Sequence, residues 1–252
     1  MNQRKLKIVK DSCLQYTNIV SIDPSTTCTG LCVNGELYNI VNYDIAVTKK
    51  DKFKRWFDIS SPYCEIITYP AREKQSNYYQ EELSKLEYYS NIKNIILCMI
   101  TERITQSQNP ENTLVLIEGF SYSSAAGHLI DLVTLSTLIR NAIVEKGFDL
   151  RVVAPSDLKL STAKMSYDAV DVGKKKPKLE WRNTKGVSGG SFTKHDMLDA
   201  IMDSKHTSSI WKDFLAEYHS EISDMKSIPK PIEDVNDAFL LYKISQNGFL
   251  SV

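Results

Sequence analysis

The chain has 252 residues, 42% of them hydrophobic, which is enough to bury one substantial core in a single domain with insertions. Lys plus Arg and Asp plus Glu are each 31, so the net charge is zero and gives no direct case for a polyanionic partner. The five cysteines (Cys13, Cys28, Cys32, Cys64, Cys98) form no C-x-x-C pair, which excludes a zinc knuckle or a disulfide framework and points to reduced thiols in a cytoplasmic setting.

Residues 1 to 17 read as a basic N-terminal extension without an apolar leader core. No later stretch is expected to reach the roughly 18 apolar residues of a membrane span, so the expectation is a protein that is neither secreted nor membrane-bound. The first strand is predicted near Asn18 to Asp23 and the second at Gly30 to Asn34, with Asp23 at the mouth of the hairpin. Pro24 removes a backbone donor directly after Asp23, so Asp23-Pro24-Ser25-Thr26-Thr27 is either a plain turn starter or the place where a carboxylate faces a cleft. Asn34-Gly35 predicts a tight hairpin into a third strand near Glu36 to Tyr43.

Residues 44 to 76 mix charge, aromatics and proline and are treated as an insertion. A long helix is predicted from Tyr78 to Gln106, where Leu83, Leu86, Tyr89, Ile92, Ile96, Met99, Ile100 and Ile104 recur at three- and four-residue steps as a core stripe. Thr113 to Glu118 reads as a buried strand ending in a carboxylate, followed by a helix over Ser124 to Lys146 closed by Gly147. A strand at Leu150 to Ala154 then implies parallel pairing. Beyond it lie a short helix at Ser156 to Ala163 and a polar, glycine-containing loop ending near residue 192. Three closing helices follow, the first capped by Thr193, the next over Ser209 to His219 and the last over Asp234 to Gln246. The fold class is α/β: a mixed five-stranded sheet, an antiparallel meander followed by parallel strands, packed by helices.

Carboxylates recur at chosen places. One Asp ends a strand, one Glu ends a later strand, and Asp234 and Asp237 stand three apart on one helix face, beside an Ala238 small enough to let that helix approach the sheet. Such a set offers only oxygen ligands, which suits Mg²⁺ or Mn²⁺ and not zinc. Two ions about 4 Å apart would hold the attacking water and the leaving oxygen of a phosphodiester.

Four short pieces, in order, resemble the RuvC family of Holliday-junction resolvases within the ribonuclease-H-like superfamily. They are Ile22-Asp23-Pro24-Ser25-Thr26-Thr27-Cys28-Thr29-Gly30, Leu116-Ile117-Glu118-Gly119-Phe120, Pro155-Ser156-Asp157-Leu158-Lys159 with Thr193-Lys194, and Asp234-Val235-Asn236-Asp237-Ala238. The resemblance implies one ribonuclease-H-like nuclease domain over 18–252, with insertions at 44–76 and 165–192. It implies that Asp23, Glu118, Asp234 and Asp237 are the catalytic, metal-binding set with two ions per site. It makes Lys159 and Lys194 phosphate contacts and Phe120 or Tyr122 the aromatic that stacks at the junction centre. The implied activity is a structure-selective DNA endonuclease of recombination and repair, a homodimer that nicks a four-way junction symmetrically and leaves 5′-phosphates. Its implied setting is the cytoplasm of a bacterial or phage-infected cell.

From Arg151 to Lys194 ten basic residues face four acidic ones, a net +6 on an otherwise acidic body. Lys174, Lys175 and Lys176 in that segment are candidate DNA contacts or a solvated loop. Asp196 and Asp199 repeat the Asp-x-x-Asp-Ala pattern and are read as a solvated helix face. His195 is read as an exposed helix residue, and Trp181 as a base-stacking group or a loop anchor. The alternatives are another ribonuclease-H-like nuclease cutting flaps or RNA–DNA hybrids, a junction-binding protein without catalysis, and an actin-like ATPase or sugar kinase. The last lacks a later glycine-rich phosphate loop.

Overall fold

The structure is a computed structural model, and it describes residues 16–42, 50–105, 112–120, 126–173 and 176–250. The strands β1 (Asn18–Asp23), β2 (Cys28–Val33) and β3 (Glu36–Asn42) form the predicted meander, Asp23 opposite Gly30. Asn34 and Gly35 both take positive φ, 51° and 97°, the pair a tight hairpin turn demands. The Asn34 side chain accepts from the Ile19 amide at 2.9 Å and so fastens the turn to β1.

The stretch read as an insertion supplies α1 (Lys50–Ser60) and β4 (Glu65–Tyr69). β4 pairs parallel with β3, Tyr38 opposite Glu65 and Asn42 opposite Tyr69, so the sheet has six strands and not the expected five. Five residues at a sheet edge, only Tyr69 of them buried, give little periodic signal. Next come α2 (Tyr78–Thr105), β5 (Thr113–Glu118), α3 (Ala126–Glu145), β6 (Asp149–Val153) and α4 (Pro155–Ser166). The segment expected to be a loop folds into a small hairpin, β7 (Ala169–Asp171) with β8 (Leu179–Trp181), and a single 3₁₀ turn at Gly189–Ser191. The chain closes with α5 (Lys194–Asp203), α6 (Ile210–Ser223) and α7 (Lys230–Gln246). β5 runs parallel to β1 and β6 parallel to β5, giving the order β4-β3-β2-β1-β5-β6.

Alternation along the strands divides the core in two. Val20, Ile22 and Ile117 face α2 and α3, meeting Ile92, Ile96 and Ile139. Ile19, Leu114 and Leu116 face the other helices, meeting Val235, Phe239 and Leu198. Asp23 continues the parity of Ile19 and Ser21, and Glu118 that of Leu114 and Leu116, so both carboxylates fall on the α7 side. Two expectations for the first face need correcting. Leu83 and Leu86 are each 48% exposed, so the buried stripe of α2 begins only at Tyr89. Gly127–Glu145 of α3 is by length and composition apolar enough to cross a membrane, although it carries Asp131 and Arg140 and buries Leu135, Ile139 and Ile143 in the core.

Candidate active site

Asp23 is delivered by the β1 end, and Pro24 turns the chain away from the ladder. The turn is tied down from both sides: Thr29 donates its hydroxyl to the Ser25 carbonyl at 2.8 Å, and Tyr69 and Tyr88 donate to the Thr26 carbonyl at 3.2 and 3.0 Å. Glu118 is delivered by the end of β5, whose next amide, Gly119, donates to the Val153 carbonyl at 2.8 Å.

Asp234 and Asp237 come from α7, which lies against β1 and β2 as closely as backbone allows. A Cβ on Gly30 would stand 2.0 Å from the Asp234 carbonyl oxygen, and Ser21 Oγ donates to the Ala238 carbonyl at 2.6 Å. Glycine is therefore required on β2 opposite Asp23 for the helix to reach its position. Oxygens of Asp23, Glu118 and Asp237 lie within 4.8 Å of one another, and Asp234 borders the same cleft, a hollow of about 330 Å³. Of the four carboxylates named from sequence, three thus converge on one point and the fourth stands beside it.

Two lysines neutralise part of this charge. Lys194 donates to Asp237 Oδ2, with Glu233 Oε1 at 3.8 Å, while Lys230 donates to Asp234 Oδ1 at 3.0 Å with Glu233 Oε2 at 4.0 Å. Asp234 Oδ2 is buried and has no N–H or O–H donor, and the Cys28 thiol, which donates to Asn39 Oδ1 at 2.9 Å, lies beside Asp234. Burial, reinforced by the Asp234 charge, pushes Asp23 up to about 6 against the pull of Lys194. Burial likewise raises Asp234 to about 6, opposed by Lys230, and Asp237 to about 7, opposed by Lys194. Glu118 is held well above the ordinary range by burial and by Asp23 and Asp237. For Lys194 burial works against the charge, but Asp237, Glu118 and Asp23 outweigh it and keep the ammonium protonated.

An all-oxygen donor set, four carboxyl groups raised chiefly by burial with repulsion adding to it, and a buried Asp234 oxygen with no N–H or O–H donor together fit a hard divalent cation. Asp23, Glu118 and Asp237 are the residues placed to hold one.

Among the expected DNA contacts, Phe120, Lys159 and Lys194 all line this cleft. The Arg140 guanidinium lies 4.7 Å from the centre of the Phe120 ring. Lys176 is exposed beside β8, outside the cleft lining. Tyr122, Lys174 and Lys175 lie outside the described residues. The duplicate Asp-x-x-Asp motif has other partners: Asp196 closes a capping box with Thr193 at the start of α5, and Asp199 meets Lys185 at 2.8 Å and His219 at 2.9 Å. His195 is half-buried and lies outside the cleft lining, and Trp181 packs on the core under the Lys164 ammonium at 5.0 Å.

Sequence reasoning missed Lys230, Glu233 and His128 in the cleft wall. Lys230 had a readable signal, because it precedes Asp234 by four residues on a helix that Pro229 and Pro231 start. His128 had none.

A scan against models of protein families finds no match, and neither does a search of curated proteins. Among solved structures, the chain is similar to Thermus thermophilus RuvC in complex with a Holliday-junction substrate at 13% identity and TM-score 0.41, covering 90% of each chain. Thermus thermophilus RuvC alone gives 14% identity and TM-score 0.41 over 93% of this chain and 98% of that one. A Cas12f1 complex with guide RNA and target DNA gives 11% and 0.40 over 92% of this chain and 39% of that one. Likeness at this level carries no case for activity, which has to be built from the side chains.

Proposed function

We propose that the protein is a metal-dependent DNA endonuclease that cuts branched DNA, with the four-way junction as its substrate. The observation that carries this reading is the convergence of Asp23, Glu118 and Asp237, from two strand ends and a helix, into one all-oxygen cluster within 4.8 Å, with Glu118 and Asp237 buried and Asp23 half-buried. Asp234 stands beside it and three lysines, Lys159, Lys194 and Lys230, face the same opening.

The chemistry supplied by bound Mg²⁺ or Mn²⁺ is activation of a water for attack on a phosphodiester and stabilisation of the leaving oxygen. The chain's own residues do the rest. Asp23, Glu118, Asp237 and Asp234 would hold the ions, and Leu132, Leu158 and Met197 add apolar wall to the cleft. Lys159 and Lys194 meet the phosphates that flank the scissile one. Phe120, with Arg140 behind its ring, offers a flat face for a base unstacked at the branch point. A second copy of the chain would supply the symmetric second nick, docking through α3, where Ile130 and Val144 are 64% and 52% exposed.

The deciding experiment compares an immobile four-way junction with a matched duplex, a flap and an RNA–DNA hybrid, each with Mg²⁺ or Mn²⁺. Paired symmetric nicks confined to the junction and lost in Asp23→Asn are the expected result. Equal cutting of flaps would broaden the enzyme to a general debranching nuclease. Cutting of the hybrid, or ATP hydrolysis without any nicking, would overturn the reading.

A further inference from the structure

The two ends of the acidic cleft are unlike. At one end Asp23, Glu118 and Asp237 present oxygens close enough to share a single ion, three carboxylates against the one ammonium of Lys194, which bonds Asp237. At the other, Asp234 belongs to no such triad, and one of its oxygens is already taken by the Lys230 ammonium at 3.0 Å. That pair is built into the helix. Lys230 and Asp234 are four residues apart, so the first turn of α7 brings them together, and Pro229 and Pro231 fix where that turn begins. Lys230 is half-exposed while Asp234 is buried, so the ammonium reaches in from the rim of the cleft and has room to swing back out.

Charge supports the same division. Ionised, Asp23, Glu118, Asp234, Asp237 and the neighbouring Glu233 carry −5 and Lys194 and Lys230 return +2, so a single divalent ion leaves the cluster at −1. A second would bring it to +1, an unfavourable excess in a partly desolvated site that the single negative charge of an arriving phosphodiester would cancel.

We propose that Lys230 acts as a built-in cation on the Asp234 side of the cleft. The DNA-free protein then binds one divalent ion, at Asp23, Glu118 and Asp237, and a second enters only when Lys230 transfers from Asp234 to a substrate phosphate. This rests on the metal-dependent reading above and sharpens it, because it makes the second ion conditional on substrate. An enzyme built this way cannot assemble its full charge until DNA is in place.

The test is a Mn²⁺ titration of the DNA-free full chain, following the loss of the free-ion paramagnetic resonance signal. Wild type is expected to take up one ion and Lys230→Met two, the second bound about tenfold or more tightly than any second ion in wild type. Lys230→Arg keeps the charge and stays at one ion, and Asp234→Asn, which removes the pair from its other side, also keeps the one. Circular dichroism checks that Lys230→Met is folded; should it not be, Lys230→Arg and Asp234→Asn still decide the matter. Two ions on wild type, one on Lys230→Met, two on Lys230→Arg, or none on Asp234→Asn would each overturn the proposal while leaving a metal-dependent nuclease standing. No Mn²⁺ on wild type at millimolar concentration would overturn both.

Discussion

At the scale of single residues, the four clustered carboxylates work against the fold that holds them. Asp23 sits among Asp234, Glu118 and Asp237 with burial as the main force on its charge, and no lysine bonds to it directly. Replacing it by Asn keeps the shape and removes one repelling charge. A pKa unit of displacement corresponds to about 1.4 kcal/mol, so Asp23→Asn is expected to stabilise the metal-free protein by on the order of 1–3 kcal/mol. If the proposed function holds, the same change removes a metal ligand and lowers nicking by at least about a hundredfold, since loss of an outer-sphere partner alone costs about 10- to 100-fold. A urea melt in EDTA beside a nicking assay checks both halves; a destabilised variant would mean that Asp23 is bonded in a way the repulsion does not describe.

At the scale of elements, the site depends on how close α7 lies to β2. Gly30→Ala places a Cβ 2.0 Å from the Asp234 carbonyl oxygen, where both neighbours are backbone and neither can give way cheaply. Overpacking of this kind costs about 1–3 kcal/mol, occasionally more, and here it also lifts Asp234 and Asp237 away from Asp23 and Glu118. Mn²⁺ uptake should fall with stability, whereas Gly127→Ala, in a helix where a Cβ meets nothing within 4 Å, should leave Mn²⁺ uptake unchanged and raise stability by about 0.4–1 kcal/mol. Thr193→Ala breaks the capping box of α5, costs about 1 kcal/mol in a denaturant melt and loosens Lys194, the first residue of that helix.

Much of this arrangement was legible in the chain. Asp23 and Glu118 were readable because each ends a run of β-branched and aliphatic residues, and Asp234 with Asp237 because three-residue spacing fixes a shared helix face. Spacing did not decide between the two Asp-x-x-Asp pieces; Asp196 is held by its own N-cap, Thr193, a local signal, and by Asn183 from outside the helix. β4 escaped notice since an edge strand of five residues needs its neighbour β3 to define it. The exposure of Leu83 and Leu86 escaped for a related reason: periodicity marks a helix face but not where the partner surface stops.

At the scale of the whole molecule, the buried carboxylates make stability depend on pH and on metal together. Asp23 and Asp234 titrate at about 6 and Asp237 at about 7 in the folded protein, against an ordinary value of 3.8. Between about pH 4 and 7 the folded chain therefore binds more protons than the unfolded one, and stability falls as the pH rises through that window. Glu81 works in the opposite sense but elsewhere: its hydrogen bond from Arg72 lowers it to about 2, so its contribution is lost only as pH falls below about 4.5. Lys194 and Lys230 are raised above 10.5, so they lose their charge only at high pH, outside the window. The metal-free protein should thus melt at its highest temperature near pH 4–5 and several degrees lower at pH 8. A divalent ion reverses the slope, because it binds ionised carboxylates and is excluded by protonated ones. Melting curves with EDTA and with Mn²⁺ at pH 5 and pH 8 should show a large rise in Tm on metal addition at pH 8 and little at pH 5. An equal rise at both values would mean that the ion binds somewhere other than these four carboxylates.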